Sequence, residues 1–537
     1  MKTVKYILAA ALLTSALLGG SALTSCSNLD EQVYTFIDPN SFYNSEEEIS
    51  ATLNGVYNRF RAMYTTNSQL YLAQIELLSD QGVPTYNKNN MELINKWDGV
   101  QNASASNGVH KVWPCCYETI NRANIVLGRV DDVAMTDQSR DWIKGQAYFL
   151  RGYSFFTLAR CFGGVALPLT YTNGVEGLEI ARSTYTETYD QIIADLQQAE
   201  SLLPTRGTSD YDVWRASKGA AEAALGEVYL YRASLADVMG EASQQDYFYT
   251  QARDYSKKVI DSKVYSLMPN YVDQFYWFNE AGAKNCQESI FELQFANAQS
   301  QDNGMHVRFG LGRTYSNYMG CYQYARMGVS PYIYEEMVRN GDKRAEVFLT
   351  YFEENDGTAH RYNMNTRHWE PYITNDRNVE HTCVFNCKYF DQHTDASLQR
   401  PNANFPILRY SEVLLNYAEA ANHLTSGDGL SYLNEVRARA GLSSSFTGSQ
   451  AEIDNEIFNQ RRYEFVGEGK IFYDELRRDV LSTLSANKLA KGYADGLSYF
   501  DVGTPLFSPK KGFLFLIPQS DLDSNSALEQ NPVPQSR

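Results

Sequence analysis

Residues 141–169 read DWIKGQAYFLRGYSFFTLARCFGGVALPL. Ile143, Ala147, Leu150, Ser154, Leu158 and Cys161 recur every three or four positions, which is a helical period. Tyr148, Phe149, Tyr153, Phe155 and Phe156 fill the gaps, so the helix is apolar on nearly every side. A helix of that kind sits at the centre of a body rather than on its surface. Lys144, Arg151 and Arg160 interrupt it. A buried arginine demands a partner, because an unpaired charge in a core is strongly unfavourable. Gly163 and Gly164 end the helix, and Pro168 keeps Val165–Leu169 extended.

Amphipathic segments lie on both sides of this stretch. Upstream, Ser45-Glu46-Glu47-Glu48 opens a helix with acidic residues in the turn where the dipole favours them. Its apolar face is Ile49, Leu53, Val56, Tyr57 and Phe60. Leu70–Leu78 and Trp113–Arg129 are also helical, the latter holding the vicinal Cys115 and Cys116 as packing residues. Downstream, Tyr185–Leu203 is stopped by Pro204. Ser217 caps the next helix, whose face is Ala220, Ala221, Ala224, Leu225, Val228 and Tyr231. Tyr247–Asp261 follows. Small residues on those faces let neighbouring helices approach closely.

Two regions break the pattern. Residues 80–106 are rich in Asn, Gly and Asp, carry Trp97-Asp98-Gly99, and read as a long irregular loop. From Ser262 to Phe405 the periodicity fades into Tyr, Asn and Gly, with Ser289–Phe295 alternating like a strand. An irregular stretch of that length in a compact body usually carries function. Helices resume after Phe405.

The 537 residues carry 47 basic and 64 acidic side chains, a formal charge of −17. That balance argues against nucleic acid, whose phosphates call for a basic face. The aromatic stock, 39 Tyr, 26 Phe and 6 Trp, suits a core or a carbohydrate-stacking surface. At the start, Lys2 and Lys5 precede a short apolar run, Tyr6–Leu18, and then Leu23-Thr24-Ser25-Cys26. The run is too short for a membrane span and reads as a secretory leader, residues 1–25. No later stretch is long and apolar enough to cross a bilayer.

Cleavage before Cys26 removes Lys2 and Lys5 and leaves seven further cysteines, an odd number. A chain of this length needs no disulfide to hold its core, so buried thiols or a single bridge are expected. His381, Cys383, Cys387 and His393 have no zinc-ligand spacing, and no metal is assigned. Neither H-E-x-x-H, G-x-S-x-G nor a Walker A loop occurs, so no catalytic residue and no cofactor is assigned.

Ordered motifs resemble those of the SusD/RagB family of Bacteroidetes outer-membrane lipoproteins. Arg151–Arg160 with Phe162–Pro168 is similar to the family's arginine-aromatic helix and "G-x-x-P". Arg409-Tyr-Ser-Glu412-Val-Leu-Leu-Asn416-Tyr-Ala-Glu419-Ala resembles "R-Y-x-E-x-L-L-x-x-A-E-A". Leu433-Asn434 through Val436, Arg437, Arg439 and Gly441-Leu442 resembles "L-N-x-V-R-x-R-A-G-L". Arg461-Arg462-Tyr-Glu464 to Glu468-Gly469, then Asp474 and Leu476-Arg477-Arg478, resembles the next block, with Glu475 as one extra residue. Phe513–Pro532 resembles the closing "P-I-P…Q-N-P". Leu23–Cys26 resembles a lipobox with Ser25 where Ala or Gly is usual, and Asp30-Glu31 resembles a surface-export signal.

The resemblance implies a mostly α, SusD-like fold: degenerate tetratricopeptide helix pairs packed against a loop-rich region with few short strands. It implies a leader at 1–25, a tether at 26–40 lipid-anchored through Cys26, and one body at 41–537. Within that body, 41–261 are helical repeats and 262–405 a ligand or interface region. Residues 406–480 are C-terminal helices, and 481–537 a tail. It implies a protein displayed on the outer membrane that binds oligosaccharide or polysaccharide without catalysis and works with a SusC-like TonB-dependent β-barrel transporter. A peptide-binding RagB-like role is the alternative, and a surface glycosidase a remoter one. The family's ligand loops vary, so the site residues come from chemistry alone. Trp97 and Trp277 are expected as stacking platforms, Asp98, Asn102 and Arg367 as hydroxyl partners, and Tyr315 and Trp369 as further contacts. The charged motif residues are read as ion pairs that fix helix register.

Overall fold

A computed structural model describes residues 43–64, 69–85, 109–172, 179–208, 211–280, 282–296, 327–354, 356–374, 382–391, 402–481, 483–484 and 514–532. The N-terminal helices are α1 (Glu46–Ala62), α2 (Gln69–Leu78), α3 (Val109–Arg129), α4 (Asp137–Phe162), α5 (Tyr185–Leu202), α6 (Lys218–Ser234) and α7 (Gln245–Ser262). Strand β1 (Gly82–Pro84) lies between α2 and α3. From α3 to α7 each helix packs on the next, and α1 packs on α3.

The 141–169 stretch is the spine of this array. Thr136 caps α4 by accepting from the Ser139 N–H at 3.1 Å, and Gly163 closes it at φ +78°, a left-handed conformation that a side chain would strain. The predicted partners of its arginines exist. Arg151 forks onto Asp195 of α5 at 2.8 and 2.6 Å and also donates to Asn124 of α3 at 2.7 Å. Arg160 meets Glu227 of α6 at 3.0 Å, its guanidinium 4.3 Å from the Phe156 ring centre. Lys144 pairs with Asp131 at 2.6 Å towards solvent. The charges that interrupt the apolar pattern therefore tie α4 to its neighbours.

Three local expectations need adjusting. Helix α3 begins at Val109 rather than Trp113, with Pro114 as its sixth residue, where it withholds the N–H that would otherwise reach the His110 carbonyl. The 289–295 alternation does mark a strand, β2 (Ser289–Leu293), but every residue of it is buried. It pairs antiparallel with β9 (Phe405–Arg409), Ser289 opposite Arg409 and Leu293 opposite Phe405. Phe291 then packs its ring 4.9 Å from Phe149 of α4 and 6.2 Å from Phe60 of α1.

The described part of 262–405 is also more ordered than its faded periodicity suggests. It holds β3 (Met327–Val329), α8 (Pro331–Arg339), β4 (Phe348–Leu349), β5 (Tyr351–Glu353), β6 (Ala359–Asn363), β7 (His368–Glu370) and β8 (Phe385–Asn386). These short elements bury a cluster of their own, including Ile333, Met337, Val347, Trp369, Val384 and Phe390. Each is nine residues or fewer, too short to tell a helix from a strand by pattern alone, which is why the sequence reading misses them.

The C-terminal helices are α9 (Tyr410–His423), α10 (Gly429–Arg439), α11 (Gln450–Glu464), α12 (Ile471–Arg477) and α13 (Gln519–Ser524). Helix α9 packs on α7, α10 and α11, continuing the array. The closing motif stitches the tail to the spine. Phe515 donates its N–H to the Cys161 carbonyl at 3.0 Å, and Asn531 donates to Phe162 and Phe515 carbonyls at 3.0 and 2.7 Å. Gln530 satisfies both backbone groups of Ile517, at 2.7 and 2.9 Å. None of the six described cysteines forms a disulfide. Among the described residues no helix is long and apolar enough to cross a membrane.

Candidate functional site

The charged motif residues form one buried knot. Arg409 donates to Glu464 at 2.9 Å, to Glu288 at 2.9 Å and to Glu468 at 2.9 and 3.0 Å. Glu464 also holds Arg344 at 3.1 Å and Arg439 at 2.5 Å. Lys388 bonds Glu468 at 2.6 Å, and Lys470 bonds Glu412 at 2.6 Å. Burial opposes charge on Glu464, yet Arg439, Arg409 and Arg344 outweigh it and hold the carboxyl below its usual range. Burial lowers Lys388 to about 8 despite Glu468.

The ion-pair reading stands, with one correction to its geometry. Arg409 lies in β9, not on a helix, and its partners come from other elements rather than from Glu412 three residues on. The knot joins β9, α10, α11 and the 464–470 turn, and Glu288, Glu464 and Glu468 in it are each paired with buried arginine or lysine. Glu475, the residue extra to the family pattern, is buried against Asp80, whose N–H donates to it at 3.1 Å. Asp80 in turn holds Arg462 at 2.5 Å.

Glu419, His423 and Asp454 bring three potential ligand atoms together. A cation already fills that set: Glu419 accepts from Arg477 at 2.5 and 2.8 Å and from Arg478 at 3.0 Å, and Arg478 also pairs with Asp454. Cys383 and Cys387 are core thiols, and His381 and His393 lie outside the described residues.

The expected ligand residues divide. Trp97, Asp98, Asn102 and Tyr315 lie outside the described residues, as does Cys26. The flanks of the 86–108 segment are described. Val109 donates its N–H to Gln74 of α2 at 2.8 Å on one side, and Gly82 pairs with Val329 on the other. Trp369 is 0% exposed, so its ring offers no face to solvent, and its indole N–H donates to the Cys383 carbonyl at 3.0 Å. Its place is the centre of the second core cluster. Arg367, at φ +58°, binds the buried Glu335 at 2.7 and 3.2 Å, so its guanidinium already has a carboxylate. Trp277 is half-buried, edge-on to Phe390 at 5.5 Å, and packs against the same cluster as Trp369.

An open cleft of about 550 Å³ lies where α1, β2 and the turn before α6 meet. Trp214 borders it and is 54% exposed. Its turn is tightly held: the Trp214 N–H donates to Asp212 Oδ1 at 3.1 Å, Arg215 N–H to the Asp212 carbonyl at 2.9 Å, and Tyr211 Oη to the Arg215 carbonyl at 2.8 Å. Tyr57 of α1 accepts from Ala216 N–H at 3.0 Å and donates to Gln146 of α4 at 3.0 Å. Burial raises that phenol to about 12. Arg215 lies 5.0 Å from the Tyr57 ring centre and donates to Asn54 at 2.6 Å, while Arg61 donates to Asn58 at 2.9 Å. Sequence reasoning passed over this place. Its signal was a tryptophan in a polar turn, Tyr211-Asp-Val-Trp-Arg215, directly before a helix cap.

Comparisons with known proteins agree with this architecture. The family model described as "SusD family" matches residues 287–533, and the one described as "Starch-binding associating with outer membrane" matches residues 28–230. SusD-like protein P2 of Formosa agariphila is 26% identical over 534 residues, 95% of this chain and 96% of its own. A SusD homolog from Bacteroides thetaiotaomicron superposes with a TM-score of 0.75 at 21% identity, over 91% of this chain and 97% of its own. Surface glycan-binding protein A from Bacteroides thetaiotaomicron, in complex with laminarihexaose, superposes with a TM-score of 0.69 at 22% identity, over 91% and 100%. The fold is thus the mostly helical one of the SusD superfamily. The two matches take in most of the sequence between them, and the chain belongs to the SusD/RagB family.

Proposed function

We propose that the protein is a cell-surface lipoprotein that captures oligosaccharide and hands it, unmodified, to a SusC-like TonB-dependent transporter of the outer membrane. One observation carries the reading. The ionisable side chains of the family motifs are spent on buried ion pairs, and the open cleft described above is lined by an exposed indole, amides and paired charges. That is binding chemistry: aromatic faces take the apolar side of a sugar ring, and amides take its hydroxyls. The matched description "associating with outer membrane" and a structural neighbour named for glycan binding support the same role. The lipobox-like Leu23–Cys26 supplies the anchor, Cys26 its acylated residue, and 26–40 its tether. Trp97, Asp98, Asn102, Trp277 and Tyr315 remain the proposed ligand contacts.

The test is a glycan array and affinity-gel screen of the mature protein, with product analysis of each hit. Binding with the glycan recovered intact is the expected result. Cleaved product would overturn the reading, and retention of peptides instead of glycans would transfer it to a peptide cargo. Trp97→Ala should remove most of the affinity while the helical circular dichroism is unchanged.

A further inference from the structure

Among the described residues Trp214 is the one tryptophan more than half exposed; Trp113 and Trp369 are buried and Trp142 and Trp277 partly so. An indole left in solvent on a mobile loop would mean little. This one sits on a turn whose backbone is bonded to Asp212, Tyr211 and Tyr57, so the point from which the ring projects is fixed before anything binds. Preorganisation of this kind lowers the entropic cost of association.

The wall opposite is equally specific. Asn54 and Asn58 are four residues apart on α1, so they share one face about 5–6 Å apart, the scale of a single pyranose ring. Each gives its carbonyl oxygen to an arginine, Asn54 to Arg215 and Asn58 to Arg61, and thereby keeps its NH₂ donors for another acceptor. Asp212 supplies carboxylate oxygen on the same cleft. The cations are already engaged: Arg215 by Asn54, by Asp212 at 3.7 Å and by the Tyr57 ring, Arg61 by Asn58 and by the Phe295 ring at 5.5 Å. Among the described lining residues Arg61 and Arg215 are matched in number by Asp212 and Glu292, so the cleft has no formal excess of positive charge.

We infer that this cleft is a saccharide-binding site in its own right, with Trp214 as stacking platform, Asn54 and Asn58 as hydroxyl donors and Asp212 as hydroxyl acceptor, and that it takes a neutral oligosaccharide. The cleft falls within the 300–1,000 Å³ range of small-ligand sites. The inference rests on the glycan-binding reading above, but uses none of the residues expected from sequence.

The experiment is affinity electrophoresis of the mature protein through gels containing laminarin, starch or polygalacturonate, comparing wild type, Trp214→Ala, Trp214→Phe, Trp97→Ala and the double alanine variant. Retention by a neutral glucan should fall at least about fivefold with Trp214→Ala, return largely with Trp214→Phe, and vanish only in the double variant. Trp214 buries little, so thermal melting should be the same in wild type and Trp214→Ala and serves as the folding control. Unchanged retention of Trp214→Ala in a gel that retards wild type would overturn this inference and leave the glycan-binding reading standing. Retention by polygalacturonate alone would overturn the neutral-ligand assignment. Passage of wild type unretarded through all three gels would overturn the glycan-binding reading and this inference with it.

Discussion

Glu464 shows what a single residue contributes here. Its carboxylate meets Arg344, Arg409 and Arg439 where no water reaches. Arg409, Arg439 and Arg344 keep Glu288, Glu468 and Asp342, but removing the carboxylate they share leaves buried positive charge undercompensated, at about 3–5 kcal/mol. Glu464→Gln should therefore lose that much stability in denaturant titration at pH 7. The folded-state pKa lies below the ordinary 4.5, so this contribution is present above about 4.5 and lost as pH falls through the lowered value. The gap between variant and wild type should narrow in acid. Glu76 has the opposite sign. Burial, ahead of its bonds from the Gly469 and Gly467 N–H groups, raises its carboxyl to about 7. The folded state there keeps a proton that the unfolded chain loses above 4.5, so that contribution fades as pH rises through about 7. From these two carboxyls the melting temperature should be highest near pH 4.5, falling below it as Glu464 takes up its proton and above it, towards about 7, as the Glu76 contribution is lost. At this scale the sequence was legible where chemistry forces a partner, as with Arg151 and Arg160. It was silent on exposure, so Trp369 and Trp214, alike in composition of their surroundings, ended in a core and on a cleft.

Among the elements, α4 was legible from Asp141 to its end because Ile143–Cys161 keep one period and two glycines stop it, while its first turn from Asp137, which is polar, was not. Its contact with α5 depends on Gly152, where a Cβ would already lie 3.1 Å from Asp195 Cβ and 3.2 Å from Leu196 Cγ. Gly152→Val should push α5 aside and cost about 1–3 kcal/mol, seen as a lowered denaturation midpoint. Ser217 caps α6 by accepting from the Ala220 N–H at 3.2 Å, and Ser217→Ala should cost about 1 kcal/mol. The short strands and α8 went unread. Windows this short hold too few positions to separate helix from strand, and their pairing partners are distant, as with Gly82 opposite Val329.

For the whole molecule, the legible part was the order of the motifs from Arg151 to Pro532, which was enough to name the superfamily fold. Physical contact explains the spacing: the first and last of these motifs meet, since the tail bonds the end of α4. Phe515, Leu516 and Ile517 are all buried there. Truncation after residue 513 should remove roughly 5–9 kcal/mol of apolar burial, and the truncated protein should fail to give a cooperative thermal transition. Cys26→Ala should move the protein from the membrane fraction to the soluble one, checked by fractionation in cells lacking the transporter.

The two flanks of the 86–108 segment are fastened to the same small patch. On one side Asp80 and β1 are locked to Glu475, Arg462 and β3; on the other, Val109 is tied to α2 through Gln74. The body thus offers a fixed socket between Thr85 and Val109. Whatever sequence is plugged into it inherits two anchored ends. On the glycan-binding proposal above, exchanging residues 86–108 for those of a relative should change ligand preference, checked by the same affinity gels, while the melting temperature stays the same.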